Sequence, residues 1–229
     1  PDYAIVALDS GKTFRHDLYP EYKGTRAKMP DDLQDQIARV REVIDVLGIP
    51  ARLLDNYEAD DIIGSLAHRF AREGKRVIIV TGDSDLLQLV EEHVMVVLPG
   101  ARRFGDVREY DIPAVIERYG FPPEYIPDYK ALVGDTSDNI PGVPGIGDKT
   151  ASALISKFGT LEDIIAHQDE ITPTRARNSL AQNHDQARQS RHLATIVRDL
   201  DLHPEFDASR FGDFDREAVT ELFRILEFR

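Results

Sequence analysis

Short apolar runs alternate with amphipathic stretches through the first half of the chain, and this alternation restricts the fold more than any other feature. The runs typical of buried strands lie at 3–9, 52–54, 76–81 and 94–98. The stretches with apolar residues at helical spacing lie at 31–47 and 58–72. The pattern predicts an α/β fold in which a mostly parallel, twisted sheet is flanked by helices.

The strand signal fades near residue 111, and the second half is predicted to be helical. The expected helices span 111–119, 124–133, 147–157, 160–167, 173–197 and 215–226. Residues 10–30 lack apolar periodicity and are expected to form a long loop. We therefore predict an α/β core over 1–119 followed by a helical lobe over 120–229.

Composition limits the kinds of site that the chain can build. The 229 residues include no cysteine, so a metal site must use oxygen or histidine ligands. Together with the absence of an apolar run long enough to span a membrane, this predicts a cytoplasmic protein without a membrane partner. The net charge of −13 argues at first against a polyanionic partner. Cations bound to clustered carboxylates would neutralise much of this charge, so a polyanionic partner stays possible.

Acidic residues follow the predicted strands or open the helices after them, and two more lie in a loop of the helical lobe. Because ligands of an α/β sheet bind at the carboxyl ends of its strands, we expect the acids to meet at one edge. Oxygen ligands favour Mg²⁺ or Mn²⁺, and two such ions form a clamp for phosphodiester hydrolysis. Any one acid alone is better explained as a helix cap or loop residue. The candidates are Asp9, Glu58, Asp60, Asp61, Asp83, Asp85, Asp135 and Asp138.

Two further stretches suggest a nucleic-acid partner. Residues 142–147 form a glycine-rich turn that leads into a predicted helix beginning near Lys149 and Thr150, where backbone amides suit a phosphate. An ordinary helix connection explains that turn equally simply. Residues 12–28 are a basic arm with interleaved aromatic residues, which suits a single strand, although a solvated loop is an even alternative.

These motifs resemble the 5′ nuclease family found at the N-terminus of bacterial DNA polymerase I and related to flap endonucleases. The resemblance covers essentially the whole chain. Its carriers are Ala7-Leu-Asp9, Thr13-Phe-Arg-His16, Tyr22-Lys-Gly-Thr-Arg26, Met29-Pro-Asp-Asp-Leu33, Tyr57-Glu-Ala-Asp-Asp61, Thr81-Gly-Asp-Ser-Asp85, 134–151 and Leu226-Glu-Phe-Arg229.

The resemblance implies a PIN/resolvase-like core and a metal-dependent nuclease that cuts 5′ flaps and 5′ ends of duplex DNA during primer removal and repair. It implies that the eight acids bind two ions and that Lys23 and Arg26 act on the scissile phosphate. Arg15 and Tyr22 are expected at the DNA, with the Tyr22 ring stacked on a base. A helix–hairpin–helix motif at about 130–157 would grip duplex backbone and hold K⁺. Its expected contacts are Gly142, Gly145, Gly147, Lys149 and Thr150.

The family begins with a further strand that carries another metal-ligand Asp, followed by a helix, and this sequence starts after both. We therefore expect an N-terminally truncated segment whose parent chain continues into a polymerase region. A non-catalytic module that grips duplex DNA is the main alternative function. A phosphatase acting on small phosphoesters is a weaker one, because the hairpin favours DNA.

Overall fold

The strands of the first half lie in two small sheets. A computed structural model describes residues 1–100, 105–203 and 209–228. Strands β1 (Val6–Ala7) and β2 (Ala51–Arg52) form a parallel pair. In the second sheet, β3 (Val77–Val80) pairs in parallel with β4 (Val94–Pro99), which pairs antiparallel with β5 (Val107–Tyr110). The α/β class is confirmed, but β5 was missed because only the last of its four residues is buried.

The helices of the first half are α1 (Phe14–Leu18), α2 (Asp31–Val46) and α3 (Ala59–Arg72), and a 3₁₀ turn at Ser84–Leu89 follows β3. Helix α3 packs against β1 and β3. The predictions of α2 and α3 are confirmed. Helix α1 lies inside the arm expected to be a loop, and its five residues are too few to show a periodicity.

The second half is helical, as predicted. Its helices are α4 (Ile112–Tyr119), α5 (Ile126–Val133), α6 (Asp148–Phe158), α7 (Leu161–Ala166), α8 (Thr174–Gln182), α9 (His184–Ala194) and α10 (Arg216–Ile225). Short 3₁₀ turns occupy Pro123–Tyr125 and Gln168–Glu170. The single helix predicted over 173–197 is wrong, because Asn183 leaves the helical conformation with φ at −131°. Its side-chain amide donates to the Ser179 carbonyl instead.

One hydrophobic core joins the two halves. Its buried residues run from Ala67 in α3 and Val96 in β4 to Leu132 in α5 and Ile155 in α6. Helix α5 packs against α9, α6 and the 3₁₀ turn after β3. This packing brings the loop after α5 beside the acids that follow β3. Arg229, the last residue of the closing motif, lies outside the described residues.

Within the described part of the chain, no helix is both long enough and apolar enough to cross a membrane.

Candidate metal and nucleic-acid site

Acids from the strand ends meet at the N-terminus of α3. Glu58 caps this helix, Asp60 lies in its first turn, and Asp9 Oδ1 accepts a hydrogen bond from the Ala59 amide at 2.8 Å. Burial, together with the nearby carboxylates of Asp83 and Glu58, raises the pKa of Asp60 to about 7. Buried carboxylates gathered in this way suit a divalent cation, which offsets their mutual repulsion.

A lysine bridges a second group of acids. Asp83 Oδ1 accepts from the Asp85 amide at 2.8 Å, and Lys130 Nζ contacts both Asp85 Oδ1 and Asp135 Oδ2. Burial raises the pKa of Asp85 to about 6, with Lys130 opposing the increase and Asp83 adding to it. Burial also acts to raise the pKa of Asp135, but Lys130 and Ser137 outweigh it and lower that pKa to about 2. Asp135 is therefore held ionised by its partners.

The acids are neighbours, but they do not converge on one point. Among the residues that the structure describes, no three acidic or histidine side chains are placed to hold a metal ion as they stand. Ammonium groups lie between them instead. Lys130 separates Asp85 from Asp135, and Lys23 Nζ lies 2.6 Å from Glu58 Oε1 and 3.9 Å from Asp138 Oδ2.

The base of the arm folds onto the acids. The Tyr22 hydroxyl lies 2.8 Å from Asp138 Oδ2 and 3.1 Å from Glu58 Oε2, and the Arg26 guanidinium donates to Asp138 Oδ1 at 2.6 Å. Lys23 and Arg26 remain partly exposed at the rim, with side-chain exposures of 19% and 48%. The Tyr22 ring is only 3% exposed. The ring is enclosed by protein here, and its expected stacking on a base stays a prediction.

Asp61 and Arg15 form a buried ion pair beneath this edge. Arg15 donates to the two Asp61 carboxylate oxygens at 2.7 and 2.8 Å, and both side chains are at most 3% exposed. Asp61 also accepts from the amides of Glu58 at 3.1 Å and Val197 at 2.9 Å. The Arg15 guanidinium is enclosed by protein, and its predicted contact with DNA stays a prediction. The Asp61 oxygens are already engaged, so a metal role for this residue stays a prediction.

The glycine-rich hairpin connects α5 to α6. Its glycines allow either close packing against α5 or the turn that leads into α6. A Cβ added at Gly142 would lie 2.4 Å from the Val133 carbonyl carbon, so this glycine permits close packing against the end of α5. At the tip, Gly145 has a φ of +83°, and Gly147 caps α6 without a side-chain hydrogen bond. Lys149 is exposed in the first turn of α6, and Thr150 is half-buried beside it.

The hairpin carbonyls do not offer a ready K⁺ site. Four successive carbonyls, from Pro141 to Pro144, each accept a hydrogen bond within the protein. Their donors are Ser190, Gln186, Ile146 and Ser179. The binding of K⁺ by this hairpin therefore stays a prediction.

Two basic residues at the site were missed from the sequence. Lys130 lies in the apolar helix α5, where a charged residue one turn before an acidic loop is the signal that was overlooked. Arg175 lies at the hairpin tip, where its Nε would be 3.4 Å from a Cβ added at Gly145. Arg175 gives no comparable signal, because only tertiary packing brings α8 to the hairpin.

Comparison with known proteins shows similarity along nearly the whole chain. Residues 1–120 match a family model described as the N-terminal resolvase-like domain of 5′–3′ exonuclease, and 121–217 match its C-terminal SAM fold. The chain is 47% identical over 232 residues to DNA polymerase I of Chloroflexus aurantiacus and 45% identical over 230 residues to that of Bacillus caldotenax. All of this chain is covered, but only 24% and 26% of those relatives.

A solved structure of the bacteriophage T5 flap endonuclease, as a pseudo-enzyme-product complex with DNA and metal ions, has the same fold. The two structures superpose with a TM-score of 0.70 at 25% sequence identity, over 97% of this chain and 84% of the phage protein.

Proposed function

Because the chain belongs to the 5′–3′ exonuclease family, we propose that it hydrolyses phosphodiesters at 5′ flaps and 5′ ends of duplex DNA, with divalent cations as cofactor. The observation that carries this proposal is the meeting of acids from both halves of the chain at one edge, with basic side chains among them. The DNA and metal ions named for the T5 complex support it. Because the relatives are DNA polymerases and far longer, we also propose that the parent chain includes a polymerase region.

The donor set fits Mg²⁺ or Mn²⁺. All of its donors are hard carboxylate oxygens, and those of Asp83 and Glu58 add to the rise in the pKa of Asp60 that burial causes. Bound ions would neutralise the phosphate and supply Lewis-acid activation on both sides of an in-line displacement. Asp61 is left out because Arg15 and two amides already use its oxygens. The residues that we propose as ligands are Asp9, Glu58, Asp60, Asp83, Asp85, Asp135 and Asp138.

Lys23 and Arg26 are the proposed catalytic residues at the rim. Their positive charges would stabilise the phosphate. Each has a long side chain anchored at the acids and partly open to solvent. A short rotation of either side chain would direct it to a phosphate at the same edge. Positive groups held beside the reacting phosphate stabilise the charge that develops in the transition state.

The hairpin tip is the proposed duplex-binding surface. The first amides of α6 have no intrahelical acceptor by their position, and Lys149 and Arg175 are exposed beside them. Amides and basic side chains of this kind hold phosphates without reading sequence. We therefore expect cleavage to depend on the shape of the DNA and on a 5′ end, with little dependence on base sequence.

Cleavage of a labelled 5′ flap in the presence of Mg²⁺ tests the proposal. Asp83→Ala removes a proposed ligand, and we expect cleavage to fall by about 100-fold or more while binding of the flap in Ca²⁺ persists. Asp185→Ala is the matched control, because that acid is fully exposed on α9. Undiminished cleavage by Asp83→Ala would refute the assignment of the site. DNA binding by the wild-type chain without any cleavage would favour the non-catalytic alternative.

A further inference from the structure

Lys130 is the ammonium group that the fold places between two proposed metal ligands. Its Nζ contacts Asp85 after β3 and Asp135 after α5, and the three side chains are only 12%, 17% and 11% exposed. The two acids come from different halves of the chain. Buried carboxylates at close range require a counter-ion, and here the protein supplies it from its own sequence.

The other basic groups of the site do not bridge two buried acids as Lys130 does. Lys23 contacts its two acids unequally, at 2.6 Å to Glu58 and 3.9 Å to Asp138. Arg26 is half-exposed at the rim. Lys130 contacts both of its acids directly and is anchored on α5, whose neighbouring residues Ala131 and Leu132 are fully buried. The helix is therefore fixed by the core, and only the lysine side chain is free to leave.

We propose that Lys130 is an internal counter-cation that occupies the place of a divalent ion between Asp85 and Asp135 and competes with that ion. The inference rests on the proposed function, because it takes both acids to be metal ligands. A monovalent ion offers no gain in charge over the ammonium group already in place. A divalent ion that replaces the ammonium group brings two positive charges to the carboxylates instead of one. Mg²⁺ or Mn²⁺ should therefore compete with Lys130 better than K⁺ or Na⁺.

Replacement of the Lys130 ammonium group by an ion would also move that group away from the two acids. A divalent ion bound to the two carboxylates would repel the ammonium group, which would stay at the same edge of the protein. Under the proposed function, a DNA phosphate at that edge would be the anion available to it. Lys130 is thus a positioning residue that keeps the acids paired in the metal-free protein and is released as the ion binds.

The competition is tested by titrating Mn²⁺ alone and measuring free ion by electron paramagnetic resonance. Lys130→Met removes the competing charge, and we expect the affinity for Mn²⁺ to rise on the order of tenfold or more. Lys157→Met is the matched control, because it removes an exposed ammonium group paired with Glu170 on the outside of α6. Adding Asp135→Asn to Lys130→Met should abolish the gain. Equal or weaker Mn²⁺ binding by Lys130→Met would overturn the inference.

A measurement on the unmutated chain keeps the test independent of how well the variant folds. Brief acetylation followed by mass spectrometry reports how accessible each amine is. We expect acetylation of Lys130 to increase when Mn²⁺ is added and that of Lys157 to stay constant. An unchanged rate at Lys130, in a chain that binds Mn²⁺ through Asp83 and Asp60, would refute the counter-cation while leaving the proposed function intact. A chain that binds no Mn²⁺ at all would refute both.

Discussion

Replacement of Arg15 tests whether this residue serves the fold, as the structure indicates, or the DNA, as the sequence suggested. Arg15→Met keeps the length of the side chain and removes its charge. The change takes away both hydrogen bonds to Asp61, and it also removes those to the carbonyls of Leu193 at 2.9 Å and Thr195 at 3.0 Å. Asp61 then remains a buried carboxylate with only two backbone amides as partners.

The size of the effect follows from this burial. Removing one partner of a buried ion pair costs about 3–5 kcal/mol, because the other charge is left uncompensated. A domain of ordinary stability has a total of about 5–15 kcal/mol. With a urea dependence of about 3 kcal/mol/M, the unfolding midpoint should fall by about 1–2 M. Replacing Asp61 by Asn as well should restore part of the loss, because it removes the unpaired charge.

Urea unfolding followed by circular dichroism measures the loss, with Arg188→Met as the control. Arg188 also contacts a carboxylate through two hydrogen bonds, both of 2.8 Å to Glu162, but both side chains are about half exposed. Exposed pairs contribute little to stability, so this variant should unfold close to the wild type. Equal midpoints for the two variants would refute the reasoning from burial.

The same Arg15 variant separates the fold from DNA binding. A basic residue that neutralises one phosphate contributes about one unit to the slope of log affinity against log salt concentration. Folded Arg15→Met should bind duplex DNA with an unchanged slope. A slope reduced by about one unit would place Arg15 at the DNA after all.

Two further predictions concern the hairpin. Gly142→Ala should lower the free energy of unfolding by about 1–3 kcal/mol in urea, because its Cβ would lie 2.4 Å from the Val133 carbonyl carbon. Gly147→Ala should change stability far less, since a Cβ there meets nothing within 4 Å, and equal losses would contradict the packing role of Gly142. Lys149→Ala should weaken duplex binding and reduce the salt slope by about one unit in a fluorescence titration. An unchanged slope would remove Lys149 from the proposed surface.

The sequence predicted the backbone of this protein better than the directions of its side chains. Helix α3 and strand β3 were placed to within a residue or two, because apolar spacing and β-branched residues act locally. The approach of Asp60 to Asp83 agrees with the prediction that the acids meet at one edge, although the preceding strands β2 and β3 lie in different sheets. The placement of α3 and β3 needed no knowledge of packing.

Side-chain direction depends on contacts between distant segments, which the sequence does not reveal. Arg15 and Lys23 both belong to the basic arm, but α1 directs Arg15 inward to residues 178 and 180 positions away. Tyr22 is likewise buried against Leu193 and Ala194. No local pattern distinguishes a basic or aromatic residue that will be buried in this way from one that stays exposed.

The Arg15–Asp61 pair also links segments that are synthesised far apart in time. It joins the arm and α3 to the backbone at Leu193, Thr195 and Val197, and the Asp61 contact to Val197 spans 136 residues of sequence. On the ribosome, the proposed metal ligands at the start of α3 leave the exit tunnel long before that partner is made. The first half of the nascent chain therefore lacks the contacts that hold Asp61 in place. We therefore expect the site to be complete only when the second half of the chain has folded.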